Sequence, residues 1–132
     1  MMTGRPDSLP AVVACAQAHG HVDAYLREFL DVFYTEPDAQ RRTAMLAGEP
    51  PLQAHPPTLN AYLGAVAEHL ALRYHLPVPA WTRAPERFLK RPFFPAGLES
   101  LKAICLVESP VAFRRRMIFV GADPLYRPRR KD

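Results

Sequence analysis

The sequence predicts an all-α fold: a compact single-domain bundle of about five to six short helices joined by proline-rich extended connectors. Three observations carry that reading. Two long stretches, 21–35 and 58–76, repeat their apolar residues at helical spacing. Only one segment, "MIFVG" at 117–121, resembles a strand, and no second segment of similar quality exists to pair with it. Fifteen prolines against six glycines cut the chain into short helices and rigid connectors.

Taken in order, Asp7 and Ser8 are candidate caps for a first helix over about 8–18, with Pro10 early enough to be tolerated. Gly20 breaks it. In "HVDAYLREFLDVFYT", Val22, Tyr25, Leu26, Phe29 and Phe33 fall on one face, an aromatic-rich buried stripe. Pro37 fits the first turn of a third helix that Gly48 ends. "GEPPLQAHPP" (48–57) is a rigid loop. Thr58 is the expected cap of a helix over 58–76, whose stripe is Leu59, Tyr62, Leu63, Val66, Leu70 and Tyr74, widened by Ala61, Ala65 and Leu72.

"LPVPAW" (76–81) must be extended, because each proline pushes its predecessor out of helical space, and Trp81 is expected to plug the core. A short helix over 84–90 and another over 98–108 follow. Ser109-Pro110 reads as cap plus first residue of a last short helix that carries the arginines, with a small extended element near residue 118. Helix 58–76 is the expected centre, packed against helices 21–35 and 98–108. The domain is expected over 1–126, with 127–132 a basic, flexible tail.

Composition bounds the function. An apolar fraction of 48% with 23% charged residues suits a globular chain. No run of 18 uncharged apolar residues occurs, so no membrane span is expected. The N-terminal stretch reads as neither leader nor signal peptide, which makes the cytoplasm the expected compartment. Cys15 and Cys105 lack any CxxC or zinc spacing and read as reduced core thiols. Charge is polarised: residues 1–82 hold 5 basic against 8 acidic residues, and residues 83–132 hold 12 against 5. Such a C-terminal half attracts an acidic protein or a polyanion.

No GxGxxG, GxxxxGK[ST] or GxSxG motif is present, and no cofactor is expected. "HGHVD" offers His19, His21 and Asp23 as weak metal-ligand candidates, without a closing ligand at typical spacing. His69 and His75 are six residues apart and project from different faces of their helix, and His55 has no nameable partner.

The basic triplet Arg114, Arg115 and Arg116 stands out. Consecutive helical residues point about 100° apart, so at least one of the three faces inward and needs a carboxylate. Arg114 or Arg115 is expected to cross to an acidic residue of the N-terminal half. Arg127, Arg129 and Arg130 extend the basic surface, and Phe113 and Tyr126 are candidate anchors. The aromatics of the basic half sit in apolar contexts and read as core, which argues against a stacking platform for nucleic acid.

The "LPVPAW" strap, the "ESPVAF" turn and the "RRRMIFVG" segment, with the long Ala/Leu helix, resemble a family of small bacterial proteins of poorly defined function. The resemblance covers about residues 25–127. It implies a helical protein, found alone or beside a helix-turn-helix segment, some members looking like antitoxin or regulatory partners of toxin–antitoxin pairs. It brings no catalytic residues. The expectation is a non-catalytic, antitoxin-like or regulatory module that docks its basic half on an acidic protein, a toxin being one candidate. The alternatives are a nucleic-acid-binding regulator using the same arginines on phosphates, and an unrecognised metal-dependent enzyme.

Overall fold

The computed structural model of the chain describes residues 5–54, 56–95 and 102–128. They form two compact units, one within Met1–Pro51 and Tyr126–Asp132, the other within Leu52–Leu125. The grouping differs from a domain over 1–126 with a separate tail, because residues from Tyr126 onward count with the N-terminal unit. The fold is all-α, as the sequence predicts, with six α-helices and no strand among the described residues. No helix among them is long and apolar enough to cross a membrane.

In the N-terminal unit, the Ser8 side chain accepts from the Ala11 N–H at 3.2 Å and caps α1, Leu9–His19. Gly20, at φ 76°, ends α1 in the left-handed region where only glycine is unstrained. α2 covers Val22–Thr35 and buries Leu26, Phe29, Leu30 and Phe33, while Val22 and Tyr25 are half-buried. Asp38, not Pro37, starts α3 (Ala39–Ala47), by accepting from the Gln40 N–H at 3.1 Å. Arg42 of α3 donates through Nε to Phe33 O at 3.0 Å and through Nη2 to Tyr34 O at 3.1 Å. Those two carbonyls belong to the last turn of α2, where the Phe33 carbonyl also accepts from the Glu36 N–H at 3.3 Å. Leu9, Val12, Val13, Met45 and Leu46 complete this unit's core.

The other unit is built on α4, Pro57–Arg73, which buries Leu63, Val66 and Leu70 together with Ala61, Ala65, Ala67 and Ala71. Pro56 is the residue ahead of the first turn and Pro57 the first helical one, so the expected Thr58 cap lies inside the helix. Leu72 is exposed and Tyr74 only half-buried. The strap 76–79 ends in two single-turn 3-10 helices, Ala80–Arg83 and Pro85–Arg87, where an α-helix over 84–90 was expected. Pro85 explains the break, since it removes a donor and forces Ala84 out of helical space. α5 is described over Lys102–Glu108 and α6 over Val111–Arg114. Among the described residues of this unit α4 packs chiefly against α6 and the two 3-10 turns, neither of which was expected beside it.

Ser109 is not a helix cap. Its hydroxyl reaches the Cys105 carbonyl and accepts from the Val120 N–H at 2.8 Å, joining the end of α5 to the chain beyond α6. The extended element near residue 118 is real and has a partner. Ile118 forms a parallel bridge with Phe93, the Phe93 N–H donating to Met117 O at 2.8 Å and the Phe119 N–H to Phe93 O at 2.9 Å. His55, Arg129, Arg130 and the start of the expected helix 98–108 lie outside the described residues.

Candidate functional site

Three polar or small residues interrupt the apolar α4 at four-residue spacing: Asn60, Gly64 and Glu68. Spacing of four puts them on one helix face, and all three are buried. That face receives two arginines from other segments, and both are fully sealed from solvent.

Arg116 is the first. Its Nη1 donates to Glu68 Oε1 and to Ala112 O (2.8 Å), and its Nη2 donates to Thr82 O at 2.7 Å. The guanidinium stacks 4.4 Å from the centre of the Phe88 ring. Burial lowers its pKa from the ordinary arginine value, and Glu68 opposes that shift by hydrogen bond and charge. Arg87 is the second. Its Nη1 donates to Asn60 O at 3.3 Å, and its guanidinium lies 4.8 Å from the centre of the half-buried Trp81 ring. Gly64 makes the approach possible. A Cβ there would stand 3.1 Å from Arg87 Cβ and 3.2 Å from Arg116 Nε.

Arg115 is the outer member of the cluster. It is half-exposed, donates from Nη1 to Glu68 Oε2 at 2.9 Å, and lies 5.8 Å from the Phe88 ring centre. Glu68 therefore holds one arginine inside and one at the surface. Arg114 is exposed and forms no ion pair among the described residues.

One arginine of the triplet turns inward, as helical geometry requires, but it is Arg116 and not Arg114 or Arg115. Arg115 does reach the same Glu68 carboxylate, from the exposed side, and Arg114 does not. The carboxylate Arg116 needs is Glu68, in the acidic N-terminal half of the sequence. Phe113 is fully buried, edge-on to Tyr62 and His69, so neither it nor Arg116 can touch a partner. Tyr126 is largely exposed. Arg127 is not part of a free tail. It forks onto Asp31 of α2, Nε to Oδ1 at 3.0 Å and Nη2 to Oδ2 at 3.2 Å, and this pairing raises its pKa. His19, His21 and Asp23 are all exposed, and among the described residues no group of three or more His, Cys, Asp or Glu side chains could hold a metal ion.

Arg87 was missed in the sequence. The signal that could have found it is the Asn60–Gly64–Glu68 face, a polar seam inside an otherwise apolar helix. Chemically the cluster is a clamp: each oxygen of the Glu68 carboxylate accepts from a different arginine. What it presents outward is Arg115, in one orientation, with Arg83, Lys90, Arg91 and Arg114 also exposed in the same unit. No family model matches this chain, and neither a curated protein nor a solved structure matches it.

Proposed function

We propose that this protein is a non-catalytic binding module, antitoxin-like or regulatory in role, which acts in the cytoplasm by docking its basic surface on an acidic protein. The observation that carries the reading is Arg115, held by Glu68 and Phe88 while about half of its side chain faces solvent. A long side chain fixed before binding loses less rotamer freedom on capture of a carboxylate, and its planar fork suits bidentate contact. Arg83, Lys90, Arg91 and Arg114 are also exposed in the same unit, and their summed positive charge favours an acidic partner.

The test is retention on the immobilised full-length chain, at low and at moderate salt, from a lysate of its own host. An acidic protein held in stoichiometric amount at moderate salt, and lost when Arg115 is changed to Glu, is the expected result. Nucleic acid that leaves with a log–log salt slope of about −0.9 per phosphate, with no protein retained, would establish the phosphate-binding alternative instead.

A further inference from the structure

Three of the arginines expected at the partner surface, Arg115, Arg116 and Arg127, are paired within the chain, and the pairs differ in access. Arg116 is sealed against Glu68, with side-chain exposures of 0% and 8%. Arg127 and Asp31 instead keep 27% and 21% of their side-chain surface in water. Arg127 grips Asp31 through its Nε and Nη2 edge, at 3.0 Å and 3.2 Å. That fork is how an arginine takes a carboxylate from any source. Its Nη1 donates to no acceptor among the described residues, so a second carboxylate can begin to bind before Asp31 leaves. The helix that supplies Asp31 is itself acidic. α2 carries Asp23, Glu28 and Asp31 against the single Arg27, and so offers Arg127 the chemistry of an acidic protein. An intramolecular carboxylate acts at a high effective concentration, so a weak pair suffices to compete with a free one. A surface ion pair of this kind contributes little stability, which keeps it exchangeable.

We propose that Asp31 is a built-in competitor of the acidic partner: it occupies Arg127 in the free protein and yields it to a partner carboxylate on docking. The contact is autoinhibitory, and its strength sets how much affinity the free protein withholds. This role rests on the docking of an acidic protein proposed above and adds a self-limiting contact to it. Arg115 needs no such release. Glu68 takes only its Nη1, and no acceptor among the described residues takes its Nε or Nη2. The same arrangement explains why Arg127, read from the sequence as a partner contact, is found holding a carboxylate of its own chain. Both are one chemistry, and the occupant changes.

The test is binding of a fluorescent oligoglutamate peptide to the full-length chain at about 0.1 M ionic strength, where the Debye length is about 10 Å. Asp31→Asn should bind the peptide about two- to fivefold tighter than wild type, the factor by which a weak surface pair withholds the competent state. Asp23→Asn removes the same charge from the same helix without opening the fork, and should change affinity by less than about 1.5-fold. Arg127→Gln should weaken binding little in the wild type, where Asp31 already holds Arg127, yet erase the whole gain in the Asp31→Asn background. In magnetic resonance spectra of the wild type, which needs no variant to fold, the Arg127 Nε–H signal should move as peptide is added. An Asp31→Asn gain no larger than that of Asp23→Asn, equal losses from Arg127→Gln in both backgrounds, or an unmoved Arg127 signal at saturating peptide would each overturn the competitor role. Wild-type binding that is lost in Arg115→Glu would leave the acidic-protein reading standing through any of those results. A wild type that binds no peptide would bring down both together.

Discussion

Glu68 and Arg116, 48 residues apart in the chain, form an ion pair with both members buried. Arg115 adds a second hydrogen bond to the same carboxylate from the surface side. The two arginines are neighbours in sequence and opposites in environment, so the pair should not respond equally to substitution.

Removing Glu68 leaves Arg116 charged, buried and short of its carboxylate, a situation that costs about 3–5 kcal/mol in comparable pairs. Glu68→Ala is expected to lose that much stability in urea denaturation, whereas Arg115→Ala should lose less than about 1 kcal/mol, since solvent replaces its contact. Equal losses for the two variants would mean that the buried Arg116 contact adds nothing beyond the exposed Arg115 contact, contrary to this geometry.

Gly64→Ala should destabilise even though alanine is the better helix former by about 1 kcal/mol. The new methyl would press on Arg87 Cβ at 3.1 Å and Arg116 Nε at 3.2 Å. Both arginines are tied down by hydrogen bonds and aromatic rings, so neither can yield cheaply. A net loss of about 1–2 kcal/mol is expected from such overpacking. A gain in melting temperature would show that the arginines move aside.

How far the sequence foretold this arrangement depends on how local each feature is. The α4 stripe of Leu63, Val66 and Leu70 was legible because periodicity is a local property. So was the Ser8 cap, which needs only its neighbour at Ala11. The requirement for a carboxylate partner to one of the three arginines followed from helical geometry alone. Which arginine turns inward was not legible, since that depends on where Thr82 and Phe88 lie, more than 25 residues upstream. Ser109 carried a cap signature but braces Val120 instead, because a hydroxyl with a nearby backbone donor has no need to serve the helix. Phe93 looked like loop for the same reason that isolated bridges escape pattern reading: a single pairing has no period.

The fork between Arg127 and Asp31 gives the C-terminal segment a definite anchor. Its members keep roughly a quarter of their side-chain surface in water, so the coupling should be modest, under about 1 kcal/mol, and should shrink as salt rises. A double-mutant cycle of Asp31→Ala and Arg127→Ala at low and high ionic strength measures it. A coupling unchanged by salt would argue for packing of the arginine stem and not for charge.

His69 supplies a pH dependence. Its Nε2 is buried without a hydrogen-bond partner, its ring packs edge-on against Phe113, and its pKa is lowered from 6.5 by burial first and by the Arg73 charge second, with Asp123 opposing. A depressed histidine pKa means that the unfolded chain takes up the proton first as pH falls. Stability from this group is therefore fully present above pH 6.5 and declines as the pH drops from there toward the lower folded value, by at most about 1.4 kcal/mol per pH unit. Denaturation midpoints of wild type and His69→Gln, compared at pH 7.5 and at about pH 5.5, should diverge in the variant's favour at the acid end. Parallel behaviour would place the titration elsewhere.

Two helices end on a residue that is not glycine yet adopts left-handed backbone. His75, at φ 58°, follows α4, and Met117, at φ 65°, follows the arginine triplet. Each sits in the same double hydrogen-bond pattern. The His75 N–H donates to Leu72 O at 3.4 Å and the Leu76 N–H to Ala71 O at 2.8 Å. The Met117 N–H donates to Arg114 O and the Ile118 N–H to Phe113 O, both at 3.0 Å. This is the Schellman ending, in which glycine is favoured because a Cβ in left-handed backbone costs about 1–2 kcal/mol. His75 is exposed and Met117 half-buried, so the former isolates the backbone term. His75→Gly relieves that cost and loses about 0.4–1 kcal/mol to the freer unfolded chain, for a net gain of about 0.5–1 kcal/mol. His75→Val should lose stability, because a β-branched side chain tolerates positive φ worst. Met117→Gly should gain less than His75→Gly, since it also gives up packing beside the triplet. If His75→Gly instead falls in stability by as much as a glycine placed on an exposed helical surface, the left-handed ending of α4 is wrong, and with it the turn that directs the chain into the 76–79 strap.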